Sequence, residues 1–393
     1  MKEVVVLSAV RTAIGTYGGM LKDVPPCDLA SLCVKESVAR ARIDPKAVEH
    51  VVFGNVIHTE ARDMYLSRVA AVNGGLSTDT PAFTLNRLCG SGLQAIVSAA
   101  QHIETGHANI TLAGGAECMS RGAYFAPNIR WGVRMNDSQL VDAMVGALTD
   151  PFYKVHMGIT AENVAEKWGI SREDQDKLAV ESQKRATKAT REGYFKDQIV
   201  PVEVQSRKQV VHFETDEHIR PDTTVESLAK LKPVFKHDGT VTAGNASGIN
   251  DGAAALVLAS LDTAHEMGYR PIARLIGYSH AGVEPKYMGI GPTPAIKKLL
   301  EKTGLKIKDF DVIELNEAFA AQAIAVMRDL DLPADKTNPN GSGISLGHPV
   351  GATGAIITTK AIHELMRTGG RYALVSMCIG GGQGIAAAFE RYQ

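Results

Sequence analysis

The feature that most constrains this chain is a helix-then-strand plan that is written into it twice. In the first half, Gly92 opens "GLQAIVSAAQHIETG", whose Leu93, Ile96, Val97, Ala100 and Ile103 recur at helical spacing; the strand-like "NITLAGG" follows the Gly106 stop. In the second half, Gly354 opens "GAIITTKAIHELMRTGG", and the strand-like "YALVSMCIGGG" follows. A second pair shares a layout: "DPKAVEHVVFGNV" near residue 50 and "KIKDFDVIELNEA" near residue 312. Chance likeness between two αβ units is the competing account. Short β-rich runs alternating with helices predict an α/β fold with mixed or parallel sheets. A duplicated αβ protein tends to place its site where the halves meet.

Between the copies the sequence changes character. Residues 120–247 are richer in charge and contain "SREDQDKLAVESQKRATKATREG", an expected helix with Ser171 as its N-cap and Gly193 as its stop. We read three parts: an αβ half over 1–119 that is completed by about 248–270, an insertion over 120–247, and a second half over 271–393. With 393 residues there is material for two or three domains of ordinary size.

Charge and cysteine usage narrow the function classes. The 42 basic and 43 acidic residues nearly balance, without the basic excess of a nucleic-acid or membrane-surface protein, so an anionic ligand must be met by a local patch. The N-terminal "MKEVVVLSAVRTAIG" is broken by Arg11 and lacks the long apolar core of a signal peptide, and no uncharged apolar run approaches the roughly 18 residues of a membrane span. A cytoplasmic protein is expected, with neither nucleic acid nor membrane as partner. Cys27, Cys33, Cys89, Cys118 and Cys378 are scattered without a CxxC, which argues against disulfides and zinc and leaves thiol chemistry open. "GQGIAA" at 382–387 fits a loose dinucleotide fingerprint, but six residues after Ala387 cannot build a βαβ unit. "HELMR" lacks a second zinc histidine, and there is no P-loop, so no metal is expected.

Four stretches join reactive side chains to small residues: "NRLCGSG" (86–92), "NEAF" (316–319), "GISLGHPVGATG" (343–354) and "CIGGGQG" (378–384). Cys89 is either a small buried hydrophobe or a nucleophile whose thiolate is favoured by the start of the following helix. His348 is a candidate base for it, and Cys378 a second acid and base. A thiol pKa near 8.5 suits both a thiol leaving group and a carbon acid beside a thioester, as Claisen chemistry requires. Asn316 either positions a water or an oxyanion, or caps the helix after it.

Together these stretches resemble the thiolase family, and within it the bacterial biosynthetic β-ketothiolases. The likeness runs through "SAVRTAIG", "AGGAECMS", "HMGITAEN" and "TAGNASGINDGA" to the C-terminus. It implies two similar αβ halves in five αβαβα layers, with 120–247 as a loop domain over the substrate, in a homotetramer. It implies Cys89 as the acylated nucleophile, His348 as its base and Cys378 as proton donor and acceptor at the α-carbon. Asn316 would hold a water at one oxyanion site, and the Cys89 and Gly380 amides would form a second. Coenzyme A, as substrate and product rather than cofactor, would run past His156, Arg220, Ser227, Ala243, Ser247 and Ala318. Met157, Leu231, Phe235, Met288 and Phe319 are either its apolar neighbours or core. The implied reaction is reversible condensation of two acetyl-CoA to acetoacetyl-CoA and CoA. Two departures, "NGSGISLGHP" and "HTEARDMYLSRVAA", resemble members that take somewhat longer acyl chains.

Overall fold

The computed structural model describes residues 2–206 and 209–392. Strands β1 (Val4–Thr12), β2 (His50–Gly54), β3 (Ala82–Leu85), β4 (Ile110–Cys118) and β5 (Asn250–Ser260) build the first half in the order β1-β5-β4-β2-β3. Strands β6 (Ala273–Gly282), β7 (Val312–Leu315), β8 (Tyr372–Ile379) and β9 (Gln383–Arg391) build the second in the order β6-β9-β8-β7. Pairing sense repeats as well as order. β1 with β5 and β5 with β4 are antiparallel, as are β6 with β9 and β9 with β8; β4 with β2 is parallel, as is β8 with β7. The repeated plan in the sequence is thus a repeated topology.

The two halves differ at their outer edges. Where β3 pairs with β2, the second half has only a parallel bridge between Ile313 and Thr337. Asn338 turns left-handed there (φ 50°), and Pro339 has no N–H to extend a ladder. At the inner edges, Val4–Val6 pair antiparallel with Ala273–Leu275, so one sheet runs through both halves.

Helix α1 (Pro26–Ala41) packs on β1 and β5, and the helices that follow complete a five-layer αβαβα stack. α2 (Ser91–Glu104) and α7 (Thr353–Thr368) form the central layer: α2 lies on β4 and β2, while α7 touches β7 and β8 as well as β1 and β5. α5 (Pro292–Thr303) covers β6 and β9 from outside, with α6 (Ala320–Leu330) beside it. Because both faces of the sheet are covered, β4 and β5 are buried at every residue.

Two glycines set the spacing of the central layer. A Cβ on Gly92 would lie 2.6 Å from the Ala355 nitrogen, and one on Gly354 would lie 2.2 Å from that of Leu93. The starts of α2 and α7 therefore meet backbone to backbone, which only glycine permits. This contact sets the loop before α2 beside the loop before α7.

Between β4 and β5 lie α3 (Met157–Lys167) and α4 (Arg172–Arg191). Ser171 caps α4 through the Asp174 N–H, with Asp174 closing the capping box, and Gly193 stops it at φ 72°. A buried ion pair, Arg11 Nη1 to Asp216 Oδ1 at 2.7 Å, ties this part of the chain to β1. Among the described residues, no helix is long and apolar enough to cross a membrane.

Candidate active site

The turn from β3 into α2 carries Cys89. Asn86 Oδ1 accepts the Leu88 N–H at 2.8 Å; Ser91 Oγ accepts the Arg87 N–H at 2.8 Å and donates to the Leu88 carbonyl at 2.7 Å. These bonds hold Leu88 at φ 47°, a left-handed conformation that a branched side chain rarely adopts. Such strain is kept where the surroundings over-determine it, and here it sits one residue before the thiol.

Cys89 stands two residues ahead of α2, and the helix start does not decide its charge. Burial pushes the thiol up to about 11; the N–H groups of Gly380 and of Cys89 itself face the sulfur and offset part of the shift. The sequence-based expectation of a favoured thiolate is corrected accordingly: the resting group is a neutral thiol, because loss of water outweighs the helix terminus.

His348 follows Gly347, whose φ of 109° is open to glycine alone. Asn250 Oδ1 accepts the His348 N–H at 2.9 Å. The ring lies between two partners, Thr353 Oγ1 at 2.7 Å from Nδ1 and Asn316 Nδ2 at 3.4 Å from Nε2. Burial alone lowers its pKa to about 4, so the imidazole is neutral at pH 7. Gly351, three residues on, donates to Glu117 Oε2 at 2.9 Å; the same carboxylate accepts from the N–H groups of Val56 and Ile57 and from Asn55 Nδ2. Glu117 thereby staples the His348 loop to the first half, and burial raises its pKa to about 8.

Asn316 directly follows β7, and its N–H donates to the Ser376 carbonyl of β8 at 3.0 Å. α6 begins at Ala320 with Phe319 at the N-cap position, so Asn316 does not cap it. Its Oδ1 is buried and has no hydrogen-bond partner among the described residues. The neighbouring Glu317 accepts from Ser182 Oγ at 2.6 Å and Asn338 Nδ2 at 3.0 Å, holding this turn from below.

Cys378 closes β8 and is fully buried in an apolar cluster with Met157, Met288, Ala318 and Phe319. Burial and the nearby Cys89 thiol both push its pKa up. Beyond it, Gly381 and Gly382 take φ of 81° and 85°. A Cβ on Gly380 would come within 3.1 Å of Met157 and 3.2 Å of Leu88.

These elements enclose a largely apolar cavity of about 310 Å³. Of the residues singled out in the sequence, Cys89, His348 and Gly380 stand on its wall, and so do His156, Met157, Phe235, Ala243, Ser247, Met288, Ala318 and Phe319. One wall is aromatic: the His156 ring stacks on Phe235 at 4.6 Å and 15°, and Phe235 meets Phe319 edge-on at 6.3 Å. His156 Nδ1 accepts the Gly158 N–H, and burial lowers its pKa. Asn316 and Cys378 are buried against its lining residues, Asn316 beside His348 and Cys378 among Met157, Met288, Ala318 and Phe319. Arg220, Ser227 and Leu231 are outside it: Arg220 donates to the Glu217 and Ile219 carbonyls, Ser227 closes a capping box with Thr224, and Leu231 is exposed beside Gly244. Sequence reasoning passed over the wall residues Leu88, Met119, Leu148 and Val350. Three of them lie in or directly beside quoted motifs, but an apolar residue carries no chemical signature.

Comparisons agree with this geometry. Residues 4–262 match the model of the thiolase N-terminal domain, and residues 269–391 that of the thiolase C-terminal domain. The chain is 63% identical to beta-ketothiolase BktB of Cupriavidus necator over 391 residues, 99% of each chain. It is 47% identical to the human mitochondrial 3-ketoacyl-CoA thiolase over 99% of this chain and 98% of that one. The crystal structure of the Bacillus anthracis acetyl-CoA acetyltransferase superposes with a TM-score of 0.97 at 48% identity, covering 100% of this chain and 99% of that one. With both domain models matched in order and relatives this similar over their full lengths, the chain belongs to the thiolase family.

Proposed function

We propose that the protein is an acyl-CoA C-acyltransferase of the β-ketothiolase type, converting two acetyl-CoA to acetoacetyl-CoA and CoA, and the reverse, through an acyl-thioester on Cys89. The observation that carries this reading is one buried cavity holding a neutral thiol, a neutral imidazole and amide donors that face the sulfur. His348 Nε2 takes the Cys89 proton and keeps it as the sulfur attacks the acetyl carbonyl; CoA leaves as its thiol with the proton of Cys378, which becomes a thiolate opposite the His348 imidazolium, and Cys89 keeps the acetyl group. Cys378 then takes a proton from the α-carbon of a second acetyl-CoA. The carbanion attacks the acetyl carbon, the C–S bond to Cys89 breaks, and Cys89 regains its proton through His348. Oxyanion charge would fall on Asn316 and His348 in one step and on the Cys89 and Gly380 N–H groups in the other. No resident cofactor or metal is needed.

Coenzyme A would pass between the halves and a loop domain over 120–247, past the His156–Phe235 wall, with Arg220, Ser227 and Leu231 nearer its outer end. A homotetramer in the cytoplasm is the expected setting. Support for substrates somewhat longer than acetoacetyl-CoA comes from a second apolar cavity, about 580 Å³, that shares Leu88 and Ala147 with the first and is walled by Ile57, Met64 and Phe125.

Acetoacetyl-CoA offered with CoA tests the reading. We expect acetyl-CoA as the sole product, with initial rates whose double-reciprocal lines are parallel as a ping-pong scheme requires. Absence of turnover, or intersecting lines, would overturn it.

A further inference from the structure

We propose that Thr353 is a positioning residue for His348, its hydroxyl fixing the imidazole in the one tautomer that leaves Nε2 free to take the Cys89 proton. The inference rests on the thioester reading above and adds a residue to it. Three contacts form a chain: Asn316 Nδ2 to His348 Nε2 at 3.4 Å, His348 Nδ1 to Thr353 Oγ1 at 2.7 Å, and Thr353 Oγ1 to the Pro349 carbonyl at 2.9 Å. A hydroxyl has one proton to give. With that proton on the Pro349 carbonyl, Oγ1 accepts from Nδ1–H, and Nε2 carries a lone pair. The far end agrees, since Nε2 faces an amide N–H donor rather than an acceptor. Reversing the chain would place Nε2–H against that donor, and Nε2 would have no lone pair to receive a proton.

The geometry is built to persist. Thr353 is the first residue of α7 and lies five residues after His348; both are buried, at 2% and 5% exposure. The Pro349 carbonyl also accepts the N–H groups of Ala352 and of Thr353 itself at 2.9 Å each, so it stays satisfied without the hydroxyl. Loss of the hydroxyl therefore strips a partner from Nδ1 alone. No charged side chain adds to the burial that keeps His348 neutral, so this hydroxyl and the Asn316 amide are the ring's polar contacts within the structure. Once Nε2 is protonated, Nδ1–H also needs an acceptor for the positive charge, and Oγ1 is the group in place.

The test compares Thr353→Val and Thr353→Ser with wild type in the full-length enzyme. Acetyl transfer from labelled acetyl-CoA to wild-type Cys89 comes first; its failure would sink the thioester reading and leave nothing for Thr353 to support. Given transfer, we expect Thr353→Val to lower kcat for acetoacetyl-CoA thiolysis roughly tenfold to a hundredfold with KM little changed. The acid limb of its pH profile for Cys89 alkylation, set by protonation of His348, should shift to lower pH, because the base is weaker. Thr353→Ser, which keeps the oxygen, should restore both rate and profile. If Thr353→Val leaves kcat and the profile unchanged, the proposal is wrong. It is equally wrong if Thr353→Val and Thr353→Ser lose activity only in proportion to a lowered Tm, with wild-type pH profiles, since that is the pattern of a packing residue.

Discussion

Cys89 and His348 are both held uncharged, one pushed up to about 11 and the other down to about 4 by the same removal of water. A resting thiolate–imidazolium pair is thereby disfavoured, and the proton moves only as an acyl carbonyl arrives. Ultraviolet thiolate absorbance, taken as wild type minus Cys89→Ser, should be absent at pH 7 and rise only well into the alkaline range; a full thiolate signal at pH 7 would contradict the neutral pair. Asn316 has a narrower task, because an amide neither attacks nor takes a proton. Asn316→Ala should lower kcat by about 10²–10³, the usual effect of losing an oxyanion donor, with Tm nearly unchanged because Asn316 caps no helix. Intact kcat with a marked loss of Tm would return Asn316 to a structural role. At this scale the sequence was legible in singling out Cys89 and His348, residue types with their own chemistry, which the structure brings to one cavity wall. It was silent on Thr353, Glu117 and the left-handed Leu88, whose importance lies in what they touch.

At the scale of elements, the site exists because two loops are pressed together by the helices that follow them. The α2–α7 contact has no room for a methyl group at Gly354. Gly354→Ala should lower stability by about 1–3 kcal/mol, as overpacking does, and should reduce kcat as well, because α7 carries Thr353 and sets the His348 loop. A wild-type Tm would show that the helices separate at no cost. Glu117 staples the same loop through the four N–H groups that its two carboxyl oxygens accept. Glu117→Gln turns an N–H group toward backbone N–H donors and should cost about 1–3 kcal/mol, read as a lowered denaturation midpoint. The helices themselves were readable from their spacing and caps, above all α4 with its Ser171 box. Their glycine-to-glycine contact was not, because a glycine at a helix start reads as a turn until its neighbour is known.

Across the whole molecule, the duplicated plan was visible in the sequence, but the joining of the halves was not. Val4–Val6 and Ala273–Leu275 look like ordinary strand residues, and only their pairing makes the sheet continuous. Buried neutral histidines also set how the molecule answers acid. His348 and His218 both fall to about 4 through burial. A depressed folded pKa leaves stability intact above the unfolded value near 6.5 and removes it as pH falls from there toward 4. His218→Asn should therefore lose less stability than wild type between pH 6.5 and pH 4, measured by urea denaturation; equal losses would place the acid sensitivity elsewhere.

If the two halves meet to make Cys89 a transient acyl carrier, that carrier can be trapped. Enzyme mixed with labelled acetyl-CoA, without an acceptor, is quenched in acid, digested and mapped by mass spectrometry. One acetyl group per chain is expected on the peptide containing Cys89, released by added CoA as acetyl-CoA and absent from Cys89→Ser. Label on another residue, label that persists in Cys89→Ser, or no label while thiolysis proceeds would contradict it.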